Sequence, residues 1–258
     1  MKSLFPLLVA EFIGTALLVA VGLSIVIFNW GDGSITAHYI PSVEARRLLT
    51  GFLFGTTGCL ITISPVGKKS GAHINPAMSF AFWLHRKMKT NAFIGYVIAQ
   101  MLGAAVGGIP LLLWGQQGKS VLYGSTTVGV GGVEGAFWGE VITTIGLVAT
   151  VFIFVGNKKL KNYTPYTMAP LYCFMVWAET AYSGCSTNPA RSFGPALVAH
   201  YFDGYWIFVV APLLGAFITV GITWLFRELK VMHIKAARLS YHNSPTHESI
   251  KEVIKSLG

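Results

Sequence analysis

Long apolar stretches alternate with short polar and basic segments along this chain. A bilayer core takes about 20 apolar residues of helix, so the alternation predicts six membrane-spanning helices. The first runs from Leu4 to Phe28 and contains a single charge, Glu11. The second, Leu48 to Ile63, is short for a span and needs tilt or its flanks to complete it. The third covers Ala92 to Trp114, the fourth Gly135 to Val155 with Glu140, the fifth Tyr166 to Tyr182 with Glu179, and the sixth Tyr205 to Phe226. The first stretch is too long for the apolar part of a signal peptide and is followed by five more, so it is read as a span.

Composition agrees with that pattern. Of the 258 residues, 53% are hydrophobic and only 11% charged, against roughly 25% charged in soluble domains. The mean hydropathy is +0.59. A net charge of +9 could suggest nucleic acid, but the placement of the cations gives a different reason. Lys2, the cluster Lys68 to Lys89, the cluster Lys158 to Lys161 and the cations from Arg227 onward all fall on one side of a six-span chain. Arg46, Arg47 and Lys119 fall on the other, and Arg191 lies in the apolar region between spans five and six. The positive-inside rule then places both termini in the cytoplasm. The Asn162-Tyr163-Thr164 sequon becomes cytoplasmic and should carry no glycan. Cys59, Cys173 and Cys185 have neither metal nor redox spacing, so no disulfide framework, metal site or cofactor is expected.

Two stretches repeat at an offset of 113 residues. Ser70-Gly71-Ala72-His73-Ile74-Asn75-Pro76-Ala77-Met78-Ser79-Phe80 matches Ser183-Gly184-Cys185-Ser186-Thr187-Asn188-Pro189-Ala190-Arg191-Ser192-Phe193 at seven positions. Each copy follows the second span of a three-span half, and each half carries a glutamate in its first span, Glu11 or Glu140. Three spans per half is an odd number, so the halves take opposite orientations in the membrane.

Each copy reads as a loop followed by a helix start. Asparagine is a good N-cap, and proline in the first turn lacks an N–H that would be unbonded anyway. The apolar runs that follow, Ala77 to Leu84 and Ala190 to Val198, are too short to span. They read as half-helices that enter from opposite faces and meet tip to tip near the midplane. Irregular backbone at that depth is tolerated where it is buried in protein or lines a water-filled cavity. The loop carbonyls of Gly71, Ala72, His73, Gly184, Cys185 and Ser186 are therefore expected to line a pore, with the Asn75 and Asn188 amides donating at its centre. A single Asn-Pro-Ala would read as an ordinary capped turn. Two copies in inverted contexts among six spans read as a channel.

At these residues the chain resembles the aquaporin (major intrinsic protein) family over residues 5–228. Further matches are Ala10-Glu11-Phe12, Gly95-Tyr96-Val97-Ile98-Ala99-Gln100, Asn188 to Ala196, and Trp206-Ile207-Phe208 before Pro212. The resemblance implies an all-α membrane protein with six transmembrane helices, two re-entrant half-helices and inverted three-helix repeats. It also implies a homotetramer with one pore per subunit, located in the plasma (inner) membrane. Residues 1–228 are read as one channel domain, with repeats at about 4–114 and 135–226, and residues 229–258 as a cytoplasmic tail.

The expected chemistry is passive transport rather than catalysis. Asn75 and Asn188, with the half-helix N-termini, would orient water oxygen toward the centre, break the proton-conducting chain and repel cations. Arg191 would stand at the outer constriction, as the family's arginine does, with Val176 and Cys185 as neighbours by gapless counting from Asn188. The fourth member is either Phe54, in a Phe-Gly pair like the family's, or Gly55, which gapless counting from Asn75 selects. Specialised water channels usually have His where Val176 falls, so this filter is wider and less polar. Ser192 stands where a glycerol facilitator usually has Asp, and Ala196 and Phe208 resemble water channels, while Val209 replaces the usual Trp. The balance favours water, with an aquaglyceroporin-like facilitator of small uncharged solutes as the alternative. Glu11 and Glu140 are expected to be structural, accepting hydrogen bonds from loop N–H groups and from His73. Glu179 is unassigned; it could line the vestibule, brace Ser183, pair with Arg191 or serve a coupled secondary transporter. The spans hold neither His-Glu-x-x-His nor Gly-x-Ser-x-Gly, so an intramembrane enzyme is not supported.

Overall fold

The computed structural model describes residues 4–228, and the regular elements among them are helical. In chain order these are α1 (Phe5–Trp30), α2 (Ile35–Tyr39), α3 (Val43–Ile63), α4 (Pro65–Ser70), α5 (Pro76–Leu84), α6 (Thr90–Gly108), α7 (Gly115–Lys119), α8 (Gly132–Gly156), α9 (Met168–Ser183), α10 (Pro189–Ala199) and α11 (Ile207–Glu228). Short 3₁₀ turns join α6 to α7 and α8 to α9. The tail expected over residues 229–258 lies outside the described residues.

The six long helices are α1, α3, α6, α8, α9 and α11, and each half contributes one short helix, α5 or α10, beginning at the proline of its repeat. Among the described residues, four helical stretches are long and apolar enough to cross a membrane: Phe5–Trp30, Thr90–Lys119, Gly132–Gly156 and Ile207–Leu225. The remaining two long helices, α3 and α9, differ for local reasons. α3 opens with Glu44, Arg46 and Arg47 and carries Thr50, Thr56, Thr57 and Thr62, each returning its hydroxyl to the carbonyl four residues back. α9 has 16 residues because its first turn is the 3₁₀ segment Lys161–Thr167. These two helices pack against each other through α3 glycines. Gly51 lies against the Tyr172 carbonyl and Gly55 against the Met168 carbonyl, where a Cβ would collide with backbone. Small residues at such a seam let helices approach closely in a membrane.

The second helix of the first half is broken, whereas its counterpart in the second half is not. α3 stops at Ser64, whose hydroxyl accepts from Gly67 N at 3.3 Å and restarts the chain as α4, with Pro65 in the first turn. α4 then ends at Gly71 with φ +93°, as α9 ends at Gly184 with φ +87°. Both caps use the left-handed region that glycine enters freely. Residue counting back from Asn75 to α3 crosses this break at Ser64-Pro65.

Candidate functional site

The two repeat loops meet at the tips of α5 and α10. Asn75 Oδ1 accepts from Ala77 N at 2.8 Å and Met78 N at 3.4 Å, and Asn188 Oδ1 accepts from Ala190 N at 3.0 Å and Arg191 N at 3.3 Å. The amide nitrogens then cross between the halves. Asn75 Nδ2 donates to Thr187 O at 2.9 Å, and Asn188 Nδ2 donates to Ile74 O at 2.8 Å. An asparagine amide carries two hydrogens, so this lock uses one from each side chain and leaves one for a molecule in the cavity. The inverted repeat brings two helix N-termini to one point, and their positive ends add there.

The loops are held open from behind by two fully buried glutamates. Glu11 accepts from His73 N at 3.0 Å, Ile74 N at 2.7 Å and Gln100 Nε2 at 2.8 Å. Glu140 accepts from Ser186 N and Thr187 N, each at 2.7 Å, and from Ser183 Oγ at 2.6 Å. Four loop residues at equivalent positions take left-handed backbone: Ala72 (φ +49°), Ile74 (+41°), Cys185 (+54°) and Thr187 (+54°). This region is costly for side chains, most of all β-branched ones, so the buried carboxylates hold a strained ladder. The His73 side chain does not reach Glu11. Its Nδ1 pairs with Ser79 Oγ at 3.0 Å, and its ring stacks on Phe82 with centroids 4.7 Å apart. At the equivalent second-half positions, Ser186 Oγ meets Ser192 Oγ at 2.6 Å.

Two cavities flank this junction. The amide cavity is lined by both asparagines, by Ala72, His73 and Ile74, and by apolar residues of α1 and α8. The arginine cavity is lined by Arg191, Val176, Cys185 and Gly184, together with the loop that precedes α8. Among the described residues only Phe54 lines both. Gly55 instead faces the α9 backbone. The ambiguity between Phe54 and Gly55 therefore traces to the Ser64-Pro65 break. Phe54 lies on a stripe of α3 at four-residue spacing, Thr50, Phe54, Gly58 and Thr62, all of which line one cavity or the other. α9 presents a matching stripe of Met168, Tyr172, Val176 and Thr180.

Of the six loop residues expected to line the path, Ala72 and His73 border the amide cavity, and Gly184 and Cys185 the arginine cavity. Gly71 closes α4, and Ser186 is fully buried with its hydroxyl donating to Asn188 O at 2.9 Å. Ile74, at the end of the first loop, also lines the amide cavity, as does Tyr172, which was not singled out from sequence. Arg191 is buried, with Nη1 donating to Gly124 O at 2.9 Å and its guanidinium carbon 5.8 Å from the Phe54 ring centroid. Its hydrogen bond thus goes to the loop before α8. Glu179 instead contacts the Ser183 hydroxyl and borders an apolar groove between α8 and α9.

Comparison with known proteins follows the same lines. The model of a family described as major intrinsic protein matches residues 2–222. Human Aquaporin-2 is 35% identical over 219 residues, covering 80% of this chain and 73% of its own length. Aquaporin TIP2-1 of Arabidopsis thaliana is 32% identical over 209 residues, covering 80% of this chain and 81% of its own. Among solved structures, the aquaglyceroporin from Plasmodium falciparum superposes with a TM-score of 0.68 at 21% identity, over 85% of this chain and 95% of that one. At that identity the likeness bears on the fold alone.

Proposed function

This chain belongs to the major intrinsic protein family, a family of membrane channels, and from that premise we propose that it is a passive water channel that excludes protons and ions. The observation that carries the reading is the pair of asparagine amides. Each is fixed by its own half-helix and by the opposite loop, and each keeps one N–H for a passing oxygen. A water molecule accepting from both amides points its hydrogens away from the centre, so a hydrogen-bonded proton wire is interrupted there. The paired helix ends add a positive potential against cations. Arg191 adds a fixed charge at the second cavity, with Phe54 between the two.

On this reading the six long helices span the bilayer, both termini are cytoplasmic and the assembly is a homotetramer in the plasma membrane. The cation distribution supports the orientation. Val176 favours a second reading, a facilitator of glycerol or other small neutral solutes, because an aliphatic side chain in the arginine cavity gives neither the width nor the donor of an imidazole.

Purified protein in liposomes should raise osmotic water permeability well above that of empty vesicles, with a low activation energy and no proton conductance. Stopped-flow light scattering with a pH-sensitive dye inside the vesicles measures both. Water permeability equal to empty vesicles, with unaggregated and inserted protein, would end the channel reading. Cys185 supplies a second check, because it borders the arginine cavity. Externally added mercurials should block flux, and Cys185→Ser should relieve the block. Block that survives in the serine variant would assign the reactive thiol to Cys59 or Cys173.

A further inference from the structure

We propose that Tyr172 is a specificity-determining residue that forms, with Phe54, a second aromatic narrowing between Arg191 and the two asparagine amides. The inference deepens the channel reading above and rests on it. Tyr172 lies one helical turn from Val176 on the cavity stripe of α9. It faces α3, and its ring centroid is 5.4 Å from that of Phe54 at an interplanar angle of 49°. Phe54 lines both cavities, and Tyr172 lines the amide cavity against it. The narrow zone therefore extends inward from the arginine, along an aromatic pair that the four-residue spacing of both helices builds.

The hydroxyl has a defined polarity. Thr187 Oγ1 gives its single hydrogen to Ser186 O at 2.7 Å. The 2.9 Å contact between Tyr172 Oη and Thr187 Oγ1 must therefore have tyrosine as the donor. With its hydrogen committed to the loop, Oη can only accept from a molecule in the cavity. Just inward, the asparagines can only donate to that molecule. A water passing this point would give a hydrogen to Oη and then receive hydrogens on its oxygen, which is the reorientation the centre requires. Tyr172 thus supplies the polar contact that Val176 lacks, as an acceptor rather than a donor. Its ring also limits the width available to solutes larger than water.

The test measures water, urea and glycerol permeability of wild type, Tyr172→Leu and Tyr172→Phe in the same liposome preparation, at matched protein density, for variants that elute as wild type. The leucine variant should raise the ratio of glycerol or urea permeability to water permeability at least tenfold. The phenylalanine variant keeps the ring and should preserve the solute ratio. Loss of one acceptor hydrogen bond should lower its water permeability about two- to tenfold. A purely structural brace on Thr187 would lower the yield or thermal stability of both variants and leave the solute ratio of the folded protein unmoved; that result overturns the proposal. If the leucine variant does not fold, the phenylalanine variant decides on water permeability, and an unchanged value overturns it. Wild-type water permeability in the same vesicles reports separately on the channel reading.

Discussion

Glu140→Ala should prevent accumulation of folded protein, and Glu11→Ala should do nearly the same. Each carboxylate is fully buried and accepts three hydrogen bonds. Removing it leaves buried backbone donors at Ser186 and Thr187, or at His73 and Ile74, with their acceptor gone. A buried donor left unsatisfied costs about 1–3 kcal/mol. The loops they hold contain four non-glycine residues at positive φ, a strain of order 1–3 kcal/mol each that only the surrounding bonds maintain. The loss is thus several kcal/mol at least, comparable with the roughly 5–15 kcal/mol total stability of a typical protein. Glutamine is the informative control. It keeps the volume and one acceptor oxygen but turns an amide N–H₂ toward a backbone N–H, so it should fall between alanine and wild type. Size-exclusion profiles after graded heating in detergent give the order. An alanine variant with wild-type thermal stability would show that the carboxylates do not hold the loops.

The sequence made the inverted repeat legible because it is written twice, and with it the asparagine caps, both half-helices and the pair of buried acids. Helix ends came close: the half-helix read as Ala190 to Val198 runs Pro189–Ala199, and the fourth span, read as Gly135 to Val155, runs Gly132–Gly156. The third span breaks into a 3₁₀ turn at Ile109–Trp114, where Pro110 cannot supply the helical N–H. The choice between Phe54 and Gly55 could not be made by counting from Asn75, because the count crosses the Ser64-Pro65 break. What separates the two residues is the face of α3 that each takes. Thr50, Phe54, Gly58 and Thr62 recur at four-residue spacing and all line a cavity, whereas Gly51 and Gly55, one residue on, lie against the α9 backbone. The same four-residue step from Val176 leads to Tyr172. The destination of the His73 side chain was not legible, since its partner Ser79 lies beyond the loop and the Phe82 ring that stacks on it reaches it only through the turn of α5.

Arg191→Val should make the pore leak protons or small cations, and Val176→His should narrow it. Arg191 supplies a buried positive charge on the wall of the arginine cavity and ties the loop before α8 through Gly124 O. Its removal lowers the barrier to cations and loosens that loop at once. A hydrogen bond to a charged group is worth about 1.5–3 kcal/mol, which corresponds to roughly one to two decades in rate. Arg191→Lys separates the two effects, because lysine retains the charge but not the planar fork of donors. It should keep cations out while passing more neutral solute. Val176 borders the same cavity. A histidine there takes up width and adds a polar contact, so any urea or glycerol flux should fall while water flux survives. Proton, glycerol and water fluxes of the three variants at matched density distinguish the cases. Wild-type glycerol flux that is already nil would place the size limit at Phe54 and Tyr172 rather than at Val176. A glycerol flux that is present in wild type and unchanged in Val176→His would mean that this side chain does not meet the permeating molecule. Proton tightness in Arg191→Val would leave the paired asparagines as the main barrier, because the two half-helix ends at Asn75 and Asn188 are untouched by the substitution.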